Sequence, residues 1–260
     1  MTEIVINRKE LCNAIEDVLL KGRYRGASKS KVNLIDANVA CLIKSQQIVL
    51  ANASHTIAAT VSVNCETGIE TVKEGKWLFF DAEKAIKYLK AMKDEVVKLN
   101  SGDGSLKIIG TSSMKMPLSI EHSGINGIAK LMTASMEHGL AQSSTATFSS
   151  TKFETMVMFE DSKDFARAIK ECSVVGTAAY QLNYDNNELT ISSTNFQRTE
   201  TYSTKVEITT SSGEPVRIEF SAPLDKFCKG PIWLFLREES PLLLIGPDRK
   251  LIVAPYIRGE

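Results

Sequence analysis

Apolar positions along the chain recur in a repeating order of strand, helix and further strands. "TEIVIN" (residues 2–7) predicts a short strand. "RKELCNAIEDVLLKG" sets Leu11, Ile15, Val18 and Leu19 at helical spacing and stops at Gly22, a residue suited to a helix C-terminus. "CLIKSQQIVLANASH" and "TIAATVSVNC" alternate apolar and polar positions and predict strands with half-buried faces. "KWLFFDAEKAIKYLKAM" restarts the cycle with a strand running into a helix. Asp81 stands at its cap, and Lys84 takes the position where a capping box would hold Glu. "EVVKLNSGDGSLKIIG" predicts a hairpin around Ser101, Gly102, Asp103 and Gly104, and "SMKMPLSIEH" one more strand.

Residues 123–150, "SGINGIAKLMTASMEHGLAQSSTATFSS", break the rhythm. They are rich in Ser, Thr, Ala and Gly and show no clean strand period, which predicts a linker with a helical turn around "IAKLMTASM". The cycle then returns. "FETMVMF" predicts a strand, "EDSKDFARAIKEC" a helix, and "AAYQLNYDNNELTISSTN" a hairpin turning at Asp185, Asn186 and Asn187. "TETYSTKVEITT" and "PVRIEF" predict strands, "SAPLDKFCKG" a short helix, and "IWLFLREESPLLLIGPDRKLIVAP" the closing strands. The expected class is therefore α+β: two similar domains, residues 1–122 and 151–260, each a (βαβββ) unit repeated twice, with residues 123–150 between them.

Composition adds exclusions. Hydrophobic residues make up 43% and charged residues 24% of 260, enough to bury a sizeable core. Lys+Arg and Asp+Glu are both 31, so the chain is not coated in basic charge, although a local basic surface remains open. Cys12, Cys41, Cys65, Cys172 and Cys228 are dispersed with no CxxC pair and read as reduced core thiols. With no signal-peptide pattern and no apolar run of about 18 residues, the expectation is a soluble intracellular protein. His55, His122 and His138 fall in no metal-ligand spacing, and no phosphate-binding glycine loop occurs, so neither an enzyme nor a cofactor or metal site is expected.

Charge on the helices is less even. On the helix near Glu160, Phe165, Ala168, Ile169 and Cys172 share one face, leaving Lys163, Arg167 and Lys170 opposite. On the helix after Asp81, Ala82, Ala85, Ile86 and Leu89 are inward, with Lys84 and Lys87 opposite. "APLDKFCKG" buries Leu224, Phe227 and Cys228 and turns Lys226 and Lys229 outward. The first helix carries a mixed set, Lys9, Asn13 and Glu16, but the loop after it, "KGRYRGASKSK", supplies Lys21, Arg23, Arg25, Lys29 and Lys31 with no acid. Lysine on the solvent face of a helix is ordinary solvation; three such faces and a basic loop in a chain of zero net charge shift that balance. At the other end, "RKLIVAPYIRGE" finishes on Ala254, Pro255, Tyr256 and Ile257. Pro255 cannot donate to a ladder, so the last strand should end before it, and the apolar tail either packs or binds.

This order of elements resembles the DNA sliding clamps, specifically the archaeal and eukaryotic proliferating cell nuclear antigen type. Ala254-Pro255-Tyr256-Ile257 resembles that family's terminal Leu-Ala-Pro-Lys-Ile/Val, with Tyr256 where the family has Lys. Phe165-Ala166-Arg167 and Pro241-Leu242 stand where relatives carry similar residues. "ANASHT" (residues 51–56) resembles Ala-Met-Asp-x-Ser-His, with Ser54-His55 retained and the acidic residue lost. The resemblance implies antiparallel sheets outside a ring, helices lining it, and a homotrimer closed through edge strands near residues 113–121 and 200–207. It implies a processivity factor for DNA replication and repair that encircles duplex DNA without reading sequence and tethers DNA polymerase, the clamp loader and other proteins through short peptides. DNA would be met by Lys84, Lys87, Lys163, Arg167, Lys170, Lys226, Lys229, Lys21, Arg23 and Arg25. Partner peptides would meet His55, Ile125, Ile128, Leu131, Ala254, Pro255, Tyr256 and Ile257, unless the apolar residues of the linker only pin it down. The alternatives are a subunit of a heterotrimeric checkpoint-type clamp, a β-rich scaffold with no DNA role, and a monomeric factor gripping DNA on an open basic face. Archaeal, eukaryotic and viral sources, and so cytoplasm, nucleoid or nucleus, all fit the sequence.

Overall fold

The computed structural model describes residues 2–19, 37–67, 75, 77–138, 144–175, 179–195, 199–222 and 224–256. The elements are β1 (Thr2–Asn7), α1 (Arg8–Leu19), β2 (Asn38–Ile43), β3 (Gln47–Ala53), β4 (Ile57–Asn64), β5 (Glu66–Thr67), β6 (Trp77–Asp81), α2 (Ala82–Ala91), β7 (Val96–Gly102), β8 (Ser105–Ile109) and β9 (Ser113–Pro117). There follow α3 (Ile125–Met132), β10 (Ser135–His138), β11 (Ser144–Phe148), β12 (Thr151–Phe153), β13 (Thr155–Phe159), α4 (Lys163–Cys172), β14 (Tyr180–Asp185), β15 (Glu188–Thr194) and β16 (Thr201–Val206). The chain closes with β17 (Thr210–Ser212), β18 (Val216–Phe220), a 3₁₀ turn (Leu224–Lys226), β19 (Ile232–Leu236), β20 (Leu242–Ile245) and β21 (Arg249–Val253). The described residues divide into two compact units, one through Ala129 and one from Lys130.

Every named sheet pairing is antiparallel, and in both units the repeats exchange their leading strands. In the first, β1 pairs with β7 of the second repeat, and β6 pairs with β2 of the first. In the second, β13 pairs with β19 and β18 with β14. The hairpins follow from turn chemistry. Asp103 and Gly104 take φ of 48° and 66° between β7 and β8, and Asn186 and Asn187 take 51° and 60° between β14 and β15. Two successive left-handed residues give the turn whose twist matches a hairpin, and Asp, Asn and Gly tolerate it best.

Helices cover the sheets with the faces their periodicity assigned. Leu11, Ile15 and Val18 of α1, and Ala82, Ala85 and Leu89 of α2, are at most 1% exposed. Asp81 caps α2, its Oδ1 accepting from the Lys84 N–H at 2.9 Å. Arg8, at the start of α1, donates from Nη1 to the Leu89 carbonyl at 2.7 Å and from Nε to the Asp94 carbonyl at 2.5 Å. A cation there satisfies an orphan carbonyl and suits the negative end of the α2 dipole. In the second unit the rings of Phe159 and Phe165 pack with centroids 5.0 Å apart and planes tilted by 31°, joining β13 to α4. "SAPLDKFCKG" forms only the 3₁₀ turn, not a helix, although Leu224, Phe227 and Cys228 are buried as its pattern requires.

Residues 123–150 depart from the sequence expectation of an irregular linker. They hold α3 and two strands, β10 and β11, which pair with each other, and β11 pairs on its other side with β12. Thr, Ser and Met suit short, half-exposed strands, and such strands show little periodicity. The entrance to α3 is fixed by His122, only 2% exposed. Its Nδ1 accepts from the Gly124 N–H at 3.0 Å, so Nε2 carries the proton and faces the Asn38 carbonyl at 3.0 Å and Asn52 Oδ1 at 3.1 Å. Gly124 has no room for a side chain, since a Cβ would lie 2.6 Å from the Ala53 carbonyl oxygen. His122→Ala strands buried polar partners at about 1–3 kcal/mol each. Chemical denaturation is expected to show a loss of at least about 2 kcal/mol, whereas a change within noise would mean the ring fixes nothing.

Candidate nucleic-acid and partner interface

The basic residues singled out in the sequence are exposed wherever they are described: Lys84 and Lys87 on α2, Lys163, Arg167 and Lys170 on α4, and Lys226 and Lys229 at the 3₁₀ turn. Lys21, Arg23 and Arg25 lie outside the described residues. α4 buries Phe165, Ala168, Ile169 and Cys172, so its three cations share the opposite side. The 3₁₀ turn packs beside α4, with Lys170 Nζ 3.9 Å from Asp225 Oδ2.

Carboxylates are interleaved with these cations, which the one-sided pattern did not convey. Lys163 Nζ meets Asp161 at 2.8 Å, Arg167 Nη2 meets Asp164 at 2.9 Å, and Arg167 Nε lies 3.9 Å from Glu171. Glu171 also accepts from the Tyr202 hydroxyl of β16, which raises the tyrosine pKa. On α2, Lys84 Nζ lies 3.4 Å from Asp81, while Lys87 and Lys226 have no ion pair among the described residues. Lys90, which the sequence reading passed over, meets Glu16 of α1 at 2.5 Å and so ties the two helices together. Exposed pairs of this kind contribute about 0–1 kcal/mol, so another anion can displace the carboxylate.

The partner-peptide residues fall into separate classes. His55 is exposed in the turn between β3 and β4, where the Ser54 N–H donates to the Ile57 carbonyl at 2.8 Å. Ile125 is half-buried at the start of α3. Ile128 and Leu131 are 0% exposed, so they pin the helix and offer no surface to a peptide. Lys250 of β21 holds the far end of α3, donating to the Met132 and Ala134 carbonyls at 3.3 and 2.5 Å. The tail continues past β21 along the free edge of β18: Pro255 bridges Phe220, and the Tyr256 N–H donates to the Glu219 carbonyl at 2.7 Å. Ala254 and Pro255 remain half-buried and Tyr256 is 39% exposed; Ile257 lies outside the described residues.

Burial pushes the Cys172 and Cys65 thiols up to about 11, so neither is a ready nucleophile near neutral pH. Among the described residues, no group of three His, Cys, Asp or Glu is placed to hold a metal ion, and no helix is long and apolar enough to cross a membrane.

Asp161 reports on the α4 surface. The Lys163 side-chain bond, then the Lys163 backbone N–H, hold its carboxyl below the ordinary aspartate value. A depressed pKa contributes stability present above about pH 4 and lost as pH falls through the lowered value. An NMR titration should place the Asp161 midpoint below that of a free aspartate, and Lys163→Met should raise it; an unshifted midpoint in both proteins would show the pair to be absent in solution.

No protein-family model matches the sequence, and no curated protein sequence does. Solved structures do match. A. fulgidus PCNA, in a complex described as the C-terminal region of FEN-1 bound to it, aligns over 100% of both chains with a TM-score of 0.70 at 14% identity. The Helicobacter pylori beta clamp bound to a DNA ligase peptide aligns over 99% of this chain and 67% of its own, with a TM-score of 0.67 at 13% identity. PCNA from Thermococcus kodakaraensis aligns over 98% and 100%, again with a TM-score of 0.67 at 13% identity. At such identities the likeness speaks for the fold: the chain has the α+β fold of the DNA sliding clamps, laid out as in the PCNA type.

Proposed function

We propose that this chain is the subunit of a ring-shaped sliding clamp that encircles duplex DNA and tethers replication and repair proteins through short peptides. The observation that carries the reading is the four-fold βα repeat with exchanged leading strands, matched over its whole length by clamp structures. Two units per chain leave three chains to complete a six-domain ring by head-to-tail contacts that close on rotation. β9 and β16 are the terminal strands of their sheets and supply edges for that closure. An open edge left unpaired is an aggregation hazard, so closure also protects the chain.

The cations of α2, α4 and the 3₁₀ turn then meet phosphates. They carry no base-reading geometry, as a protein that slides requires. On the partner side, the two neighbours with bound peptides favour peptide docking, and exposed Tyr256 with Pro255 and Ala254 offers an apolar contact for one. The protein acts by topology and tethering and catalyses no reaction.

A ring predicts a solution mass near three times 28.6 kDa by sedimentation. It also predicts retention on closed circular DNA with release from linear DNA, which phosphate contact alone cannot produce. Lys163→Glu, Arg167→Glu and Lys170→Glu combined should impair loading and processive synthesis while leaving the mass unchanged. A stable monomer at micromolar concentration would sink the ring, and unchanged synthesis by the triple variant would sink the assignment of α4 to DNA.

A further inference from the structure

The C-terminal end of α4 is held to the sheet by two hydroxyls on adjoining strands. Ser193 of β15 and Tyr202 of β16 stand opposite each other, on the side of the sheet that carries α4. Ser193 Oγ donates to the Cys172 carbonyl at 2.8 Å, satisfying one of the carbonyls that the last turn of a helix leaves over. The Tyr202 hydroxyl donates to Oε2 of Glu171. The first bond answers a buried backbone group. The second answers no such need, because the Glu171 side chain is 45% exposed and water would solvate its carboxylate.

What the tyrosine changes is the reach of that carboxylate. Arg167 lies one helical turn earlier, with its side chain 67% exposed. Its Nη2 meets Asp164 Oδ1 at 2.9 Å, an ordinary length for a charge-assisted bond. Its Nε stops 3.9 Å from Glu171 Oε1, beyond hydrogen-bond distance. The two contacts of Glu171 fall on different oxygens: Oε2 is taken by Tyr202, and Oε1 is the one nearer Arg167. The bond to Glu171 also raises the Tyr202 hydroxyl above the ordinary tyrosine pKa, as expected where a carboxylate retains the phenol proton.

Building on the assignment of α4 to DNA, we propose that Tyr202 is a positioning residue for phosphate contact: it retains Glu171 and so leaves Arg167 Nε open to a DNA phosphate. Without the hydroxyl, Glu171 closes on Arg167 to about 2.8 Å, the usual charge-assisted length. The guanidinium is then clasped by Asp164 on one side and Glu171 on the other. Each exposed pair is weak alone, but a phosphate must now displace two carboxylates in place of one. Tyr202 itself touches neither Arg167 nor DNA and acts only through Glu171.

The test uses the full chain in Tyr202→Phe, Glu171→Gln and the combined variant, with equilibrium binding to a short linear duplex at low salt, which reports phosphate contact and not enclosure. Tyr202→Phe should weaken binding about threefold, and the same change in the Glu171→Gln background should have no effect. Apart from DNA, NMR of the Arg167 Nε–H in Tyr202→Phe should show a shifted signal and slower exchange with water, while the melting temperature stays near that of wild type. An unchanged Arg167 signal would mean that helix spacing alone keeps the two groups apart, and the proposal fails whether or not DNA binds. Equal weakening by Tyr202→Phe in both backgrounds also overturns it, since the hydroxyl then acts through something other than Glu171. If the signal moves but Arg167→Ala leaves duplex binding unchanged, the assignment of α4 to DNA falls, and the role of Tyr202 toward phosphate falls with it.

Discussion

The exchange of leading strands between repeats is the constraint on which the rest of the molecule depends. A βαβββ repeat that kept its own first strand would close on itself and leave its neighbour independent. Here β1 completes the sheet of β7, β8 and β9, while β6 completes that of β2, β3 and β4. The second unit does the same with β13 and β18. Neither repeat of a unit has a finished sheet without the other, so each unit should gain its order cooperatively. The ladder pairs residues distant in sequence, such as Ile4 with Leu99, whose closure entropy is recovered only when the apolar faces are buried together.

That exchange also determines where chemistry can be displayed. Each helix spends one face on the sheets, and α1 and α2 are fastened to each other by Arg8 and by the Lys90–Glu16 pair. The opposite faces are the regular surfaces left over, and α4 places its three cations there. Because the sheets are open, the two that end in β9 and β16 also present a terminal strand. Surface charge and free edges are thus two products of one topology.

Much of this was legible because it is local. Asp81 as a cap, Asp103-Gly104 and Asn186-Asn187 as hairpin turns, and the buried face of α4 are each written within a few residues. The strand exchange was not, since period-two alternation says which face of β6 is buried but not which strand lies beside it. The Ser/Thr-rich run of residues 123–150 was misread because short strands at the surface carry little hydrophobic contrast. Ile128 and Leu131 were correctly seen as apolar, but the same residues suit a docking surface or a packed helix, and only burial separates the two. His122 fell in no metal-ligand spacing and carried no other local signal, because its partners Asn38 and Asn52 are 84 and 70 residues away. The carboxylates beside Lys163 and Arg167 were visible in sequence, and their weight was underestimated by counting only the cations.

Those carboxylates bear on what the α4 surface can do. A bare row of lysines and arginines binds phosphate firmly, and a firmly held phosphate resists translation along the duplex. Asp161, Asp164 and Glu171 offer Lys163 and Arg167 an alternative partner at 2.8 to 3.9 Å. Exposed pairs differ from phosphate contacts by small energies, so a cation can pass from carboxylate to phosphate and back without standing unpaired. The chain's zero formal net charge fits the same logic, since retention by topology does not need the long-range attraction that an open binder requires. On the proposed reading of the chain as a clamp, interleaved acids that would weaken a gripping protein suit one that holds DNA by enclosure, because they would lower the barrier between one phosphate and the next.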